Sequence, residues 1–171
     1  GRVYAALGDY AKTIPRSRRA LAIAEKQLAP DDPALGDYLE LLGEELDESG
    51  AHDEAATFLE RALAIYEGAP KPDPDRVADA LHNLGARSAL LGESDKAIEL
   101  FRRSLKLREQ AHGLDNLDLA QTLQALAVLH AGKGHTADTL VLEERAVSIL
   151  DRRLGHAHPA LTAKIAEQAA R

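Results

Sequence analysis

A period of 42 residues runs through this chain without a gap. Gly8, Gly50, Gly92 and Gly134 mark it, and Arg19, Arg61, Arg103 and Arg145 keep the same step. Ala20, Ala62, Ser104 and Ala146 follow, then Leu21, Leu63, Leu105 and Val147. Leu42, Leu84 and Leu126 recur in phase, each ahead of a small residue: Gly43, Gly85 and Ala127. Asp31, Asp73 and Asp115 mark a loop. A period of this length copies one supersecondary unit along the chain, and such a unit buries its apolar face only against a neighbour.

Each unit reads as two helices. Leu39, Leu42 and Leu46 are spaced i, i+3, i+7, which is one helical face. Gly43 lets a neighbouring helix approach closely, and Ser49-Gly50 ends the helix with the residue best suited to a left-handed cap. The second helix runs from about His52 to Tyr66 with Ala55, Leu59, Ala62, Leu63 and Tyr66 inward. Turn signals separate units at Ala29-Pro30-Asp31-Asp32-Pro33 and at Asp73-Pro74. The third unit repeats the pattern with Leu81, Leu84, Ala97, Phe101, Leu105 and Arg108, and the fourth with Leu123, Leu126, Leu140 and Ala146. Composition agrees: Ala, Leu, Glu, Arg and Lys dominate, all strong helix formers, and aromatics are 4%.

This pattern resembles the tetratricopeptide repeat, in the longer spacing seen in kinesin light chains and many bacterial proteins. The matching residues are the Leu-small pairs, the turn glycines, and the small residues Ala55, Ala62, Ala97 and Ser104. Gly-His-Ala-His-Pro at 155–159 resembles the Gly-x-x-His-Pro loop of that repeat. The resemblance implies an all-α fold, a right-handed α-solenoid of antiparallel helix pairs. Three full repeats (32–73, 74–115, 116–157) are expected, with partial repeats at 1–31 and 158–171. Leu161, Ile165 and Ala169 would let the last helix cap the stack. The N-terminal end has no such cap, which predicts more sequence upstream or self-association there. Thr13, Ser17, Thr139 and Glu143 depart from the pattern. Pro15 lacks the N–H for an intrahelical bond, so its helix is expected to begin near Thr13.

Candidate chemistry is sparse. With no Cys, disulfides, thiolate metal sites and thiol nucleophiles are excluded. No run is long and apolar enough for a membrane span, and with no signal-peptide pattern the cytoplasm is the default location. A net charge of −7 disfavours non-specific binding to nucleic acid or acidic membranes. His156 and His158 flank one Ala without a third ligand nearby in sequence. His130 and His135 surround a helix end and a turn, with no carboxylate at the spacing of a helical zinc motif. Gly132-Lys133-Gly134-His135-Thr136 lacks phosphate-loop spacing. No catalytic residue, cofactor or metal is expected.

The charge is uneven. From Gln27 to Glu60 there is no Lys or Arg, and those residues carry 11 acids. Asp37, Glu40, Glu44, Asp47 and Glu48 fall on one face of the first helix of the second unit. By the resemblance, first helices line a concave surface, where Asp79, His82 and Asn83 follow in the third unit and Gln121 and Gln124 in the fourth. The implied function is a non-catalytic scaffold that binds a protein or peptide, a basic one at the acidic half of the groove. Asn83 alone does not supply the Lys, Arg and Asn clamp that captures acidic chaperone tails. Arg16, Arg18 and Arg19, and Arg102, Arg103, Lys106 and Arg108, are expected on the convex helices. Three other readings stay open: a solvated acidic helix, an assembly element joining copies, and a regulatory segment of a larger signalling ATPase or peptidase.

Overall fold

The computed structural model describes residues 10–114 and 116–154. Among these residues there are seven helices and no strand. They are α1 (Tyr10–Gln27), α2 (Pro33–Glu48), α3 (His52–Gly68), α4 (Pro74–Leu90), α5 (Ser94–His112), α6 (Leu117–Gly132) and α7 (Thr136–Leu154). The chain divides into two compact units, 1–87 and 88–171, with the boundary inside α4.

In the first unit, α2 starts where its sequence says a helix should. Asp32 Oδ1 accepts a hydrogen bond from the Ala34 N–H at 2.9 Å, and Pro33 takes the first turn, where its missing N–H costs nothing. Leu35, Leu39, Leu42 and Leu46 are buried, as are Ala55, Leu59, Ala62, Leu63 and Tyr66 on α3. The hairpin is tight at Gly43, where a Cβ would lie 2.8 Å from Leu59 Cδ2. The turn closes through Gly50 at φ 88°. Gly50 N–H donates to Asp47 O at 3.0 Å and Ala51 N–H to Leu46 O at 2.9 Å, the paired bonds of a Schellman end.

Helix α1 packs on α2 through Thr13, Ser17, Leu21 and Ala24, all buried. The expectation of a late start near Thr13 is corrected: the helix already runs at Tyr10, and Pro15 lies inside it. Pro15 is exposed and close to the N-terminal end, so the carbonyl it leaves without a donor can turn to water. Packing of the buried face then outweighs the local cost.

The second unit holds α5, α6 and α7. Ala97, Ile98 and Phe101 of α5 bury against Leu126 of α6, while Leu119, Ala120 and Leu123 of α6 bury against Ala146 and Ile149 of α7. Asn116 caps α6, accepting from the Asp118 N–H at 3.0 Å. The departures from the repeat pattern still occupy core slots: Thr139 and Glu143 are buried, and Thr139 Oγ1 donates to His135 O at 2.9 Å. Arg108 occupies the inward slot that Tyr66 holds one repeat earlier and is buried. Its Nη1 donates to Asp118 O at 3.1 Å and Thr122 Oγ1 at 2.9 Å, so the guanidinium ties α5 to the start of α6. The 155–159 run and the residues expected to cap the stack lie outside the described residues.

Candidate functional site

The acidic face of α2 meets α4 within the first unit. Arg76 of α4 pairs with Asp37. Asn83 Nδ2 donates to Glu40 Oε1 at 3.3 Å and to Glu44 Oε1 at 3.2 Å. Arg87 pairs with Asp47. These partners are about 40 residues apart in sequence, close to one repeat, so each rung joins equivalent helices of successive repeats. Glu48 instead accepts from the Tyr10 hydroxyl of α1 at 3.0 Å.

Tyr66 of α3 inserts into this ladder from below. Gly36 leaves its ring room: a Cβ there would lie 2.8 Å from Tyr66 Cζ. The hydroxyl then stands 3.0 Å from both Asp37 Oδ1 and Glu40 Oε2, and the Arg76 guanidinium lies over the ring at 5.7 Å. A phenol carries one proton and cannot donate to two carboxylates at once. Burial raises the Glu40 carboxyl above its ordinary range; the Tyr66 hydrogen bond opposes this, and the charges of Glu44, Asp79 and Asp37 add to it. Burial, then the Glu40 charge, also pushes the Tyr66 phenol far up, so it stays a neutral donor.

Arg87 is 2% exposed, whereas its partner Asp47 keeps 28% of its side chain in solvent. His52 Nδ1 lies 2.8 Å from Asp47 Oδ1 and 3.0 Å from Arg87 Nη1. With a proton on that nitrogen it donates to Asp47; without one it accepts from Arg87.

The residues singled out in sequence thus divide. Asp37, Glu40, Glu44 and Asp47 come together with Asn83, and Asp79 is near enough to act on Glu40 by its charge. His82 is half-buried on α4. Gln121 is exposed and Gln124 half-buried on α6, in the second unit. Spacing alone missed Arg76, Arg87 and Tyr66. A usable signal existed: Arg76 and Arg87 lie one repeat, give or take a turn, beyond acids on the equivalent helix.

One further grouping appears in the second unit. His130, His135 and Asp138 bring side-chain donor atoms within 4.8 Å of one another, although no sequence motif signalled them.

Helical hairpins repeated in register, with a polar ladder between equivalent helices, define a helical-repeat protein. The tetratricopeptide repeat family model matches residues 1–68 and 76–160, and the chain belongs to that family. No curated protein matches the chain in sequence. Among solved structures, a putative kinesin light chain with nearly identical repeats from Podosopora anserina superposes with a TM-score of 0.82 at 20% identity, covering 95% of this chain and 77% of that one. BtubC from P. vanneervenii gives 0.75 at 19% identity, covering 91% of this chain and 63% of BtubC. Aspartyl phosphate phosphatase F from Bacillus subtilis gives 0.76 at 16% identity, covering 90% and 39%. At these identities the likeness is one of fold. Among the described residues, no helix is long and apolar enough to cross a membrane.

Proposed function

We propose that this chain is a non-catalytic protein-binding module, and that the α2–α4 face of its first unit holds a basic peptide segment. The observation that carries the reading is a charge excess. Asp37, Glu40, Glu44, Asp47, Glu48 and Asp79 are six carboxylates gathered around two guanidinium groups, those of Arg76 and Arg87. The internal cations are placed at Asp37 and Asp47, toward the two ends of the row. Between them, Glu40 accepts from the Tyr66 hydroxyl and the Asn83 amide, and Glu44 from the same amide, all neutral donors. A lysine or arginine from a partner would relieve the mutual repulsion there and be steered in by it.

The reading is tested with a labelled Lys/Arg-rich peptide, its binding followed by fluorescence anisotropy. Affinity is expected to fall about 10-fold or more between roughly 50 mM and 300 mM salt, because surface charge pairs are screened over this range. Glu44→Lys with Asp79→Lys, both at exposed positions, is expected to abolish it with the helical signal intact. Affinity indifferent to salt, or unchanged in the double variant, would remove the acidic face from consideration.

A further inference from the structure

We infer that His130, His135 and Asp138 form a binding site for a first-row divalent transition-metal ion, of which Zn²⁺ is the natural probe. The end of α6 supplies the frame for this site. Gly134, at φ 74°, donates from its N–H to Ala131 O at 2.9 Å, and the His135 N–H donates to His130 O at 3.0 Å. This is a Schellman end, whose geometry sets the side chains at C3 and C″ against each other. The same bonds recur one repeat earlier, with Gly92 N–H on Ala89 O and Glu93 N–H on Ser88 O, and again at Gly50 in the first unit. The backbone frame is constant and its occupants change. In the first unit the pair is Leu46 and Ala51, the usual apolar contact. At the next turn it is Ser88 and Glu93. At the last it is His130 and His135, and the first turn of α7 adds Asp138 three residues on, where the earlier repeats carry Glu54 and Lys96.

The side chains behave as a donor set. The two imidazole centroids are 5.5 Å apart. His130 Nδ1 lies 3.3 Å from Asp138 Oδ2, close to the separation of about 3.3 Å that two donors keep on a tetrahedral ion with bonds near 2.0–2.1 Å. His130 is 5% exposed, and its Nδ1 is buried with no hydrogen bond, a costly state for a polar nitrogen that a metal bond would relieve. His135 and Asp138 are exposed, so an ion has a path from solvent. The carbonyl end of α6 adds negative potential there. The Lys133 side chain is drawn away to Asp95 on α5. A surface cavity of about 230 Å³ adjoins the site, walled by Leu105, Leu126, Val141 and Leu142 with the Arg102 side chain also on its lining. Two imidazoles and one carboxylate suit Zn²⁺, Ni²⁺ or Cu²⁺ and not the oxygen-seeking Ca²⁺ or Mg²⁺. Three protein donors leave a fourth position to water or to a side chain brought by a partner. The ion would clip the end of α6 to the start of α7.

Isothermal titration with Zn²⁺ alone, and the visible ligand-field spectrum with Co²⁺, test this on the whole chain. The expected result is one equivalent bound. A rise in Tm of about 5 °C or more should appear when free Zn²⁺ exceeds Kd by about 100-fold. His135→Ala and Asp138→Asn change exposed side chains, so the fold is retained and circular dichroism verifies it. Each is expected to weaken binding by at least about 10-fold and to remove the Tm rise. His156→Ala with His158→Ala is the control and is expected to leave both unchanged. No binding by the unaltered chain, equal affinity in His135→Ala, or binding that disappears with His156 and His158 would each overturn the assignment.

Discussion

Glu40 carries the most consequential chemistry of any single residue in the ladder. Burial holds its carboxyl above the ordinary 4.5, against the opposing hydrogen bond from Tyr66. A carboxyl raised in the fold favours the folded state most when protonated. Its contribution is therefore full below the unfolded value and is lost as pH rises through the folded one. Glu40→Gln keeps an acceptor for Asn83 or Tyr66 and removes the titration. The variant is expected to gain stability relative to the parent as pH rises above the ordinary carboxyl value of 4.5 and through the raised folded value, with the difference levelling off beyond it. Urea midpoints measured across the range check the sign; a difference that does not change with pH counts against a raised Glu40. Part of this was legible beforehand. The phase of Asp37, Glu40, Glu44 and Asp47 along one helix is a property of local geometry. That Tyr66 reaches two of them, through the space left by Gly36, depends on how α3 lies on α2.

At the scale of elements, the helices begin and end where their own residues say. Asp32 and Asn116 each accept from the N–H two residues on, and the turn glycines carry the positive φ that side-chain-bearing residues avoid. Asp32→Ala is expected to destabilise the first unit by about 1 kcal/mol, and Asp32→Ser much less, since Ser restores the cap. Thermal melts of the pair separate lost capping from lost charge: equal losses in both would mean that the carboxylate acts otherwise. Pro15 shows where element-level rules stop. Its local preference is to begin a helix, yet α1 runs through it, because four buried residues on one face of α1 hold the segment helical on both sides.

For the whole molecule, the repeat governs how damage spreads. Helical repeats gain stability mainly from nearest neighbours, so a defect stays near its origin. Phe101 is 2% exposed in the core shared by α5 and α6. Phe101→Ala is expected to cost about 3–5 kcal/mol locally. Hydrogen exchange should then speed up through α5, α6 and α7 while the amides of α2 keep most of their protection. Uniform loss of protection from α2 to α7 would instead indicate one cooperative core.

What the sequence determined by itself was the unit: two helices, their caps, their apolar faces and the period at which they recur. Those follow from interactions within a few residues or from a pattern that repeats in phase, and both can be read along a line. What tertiary structure decided was the identity of partners. A single slot of the repeat holds Glu45, then Arg87, then Leu129, and nothing local says that Arg87 is buried beside Asp47 while Leu129 is half-covered. His130, His135 and Asp138 likewise become neighbours only because a left-handed glycine folds α7 back on α6. Backbone periodicity fixes where a side chain starts. Only packing between helices fixes what it meets, since that energy belongs to pairs of groups that the chain brings together after it folds.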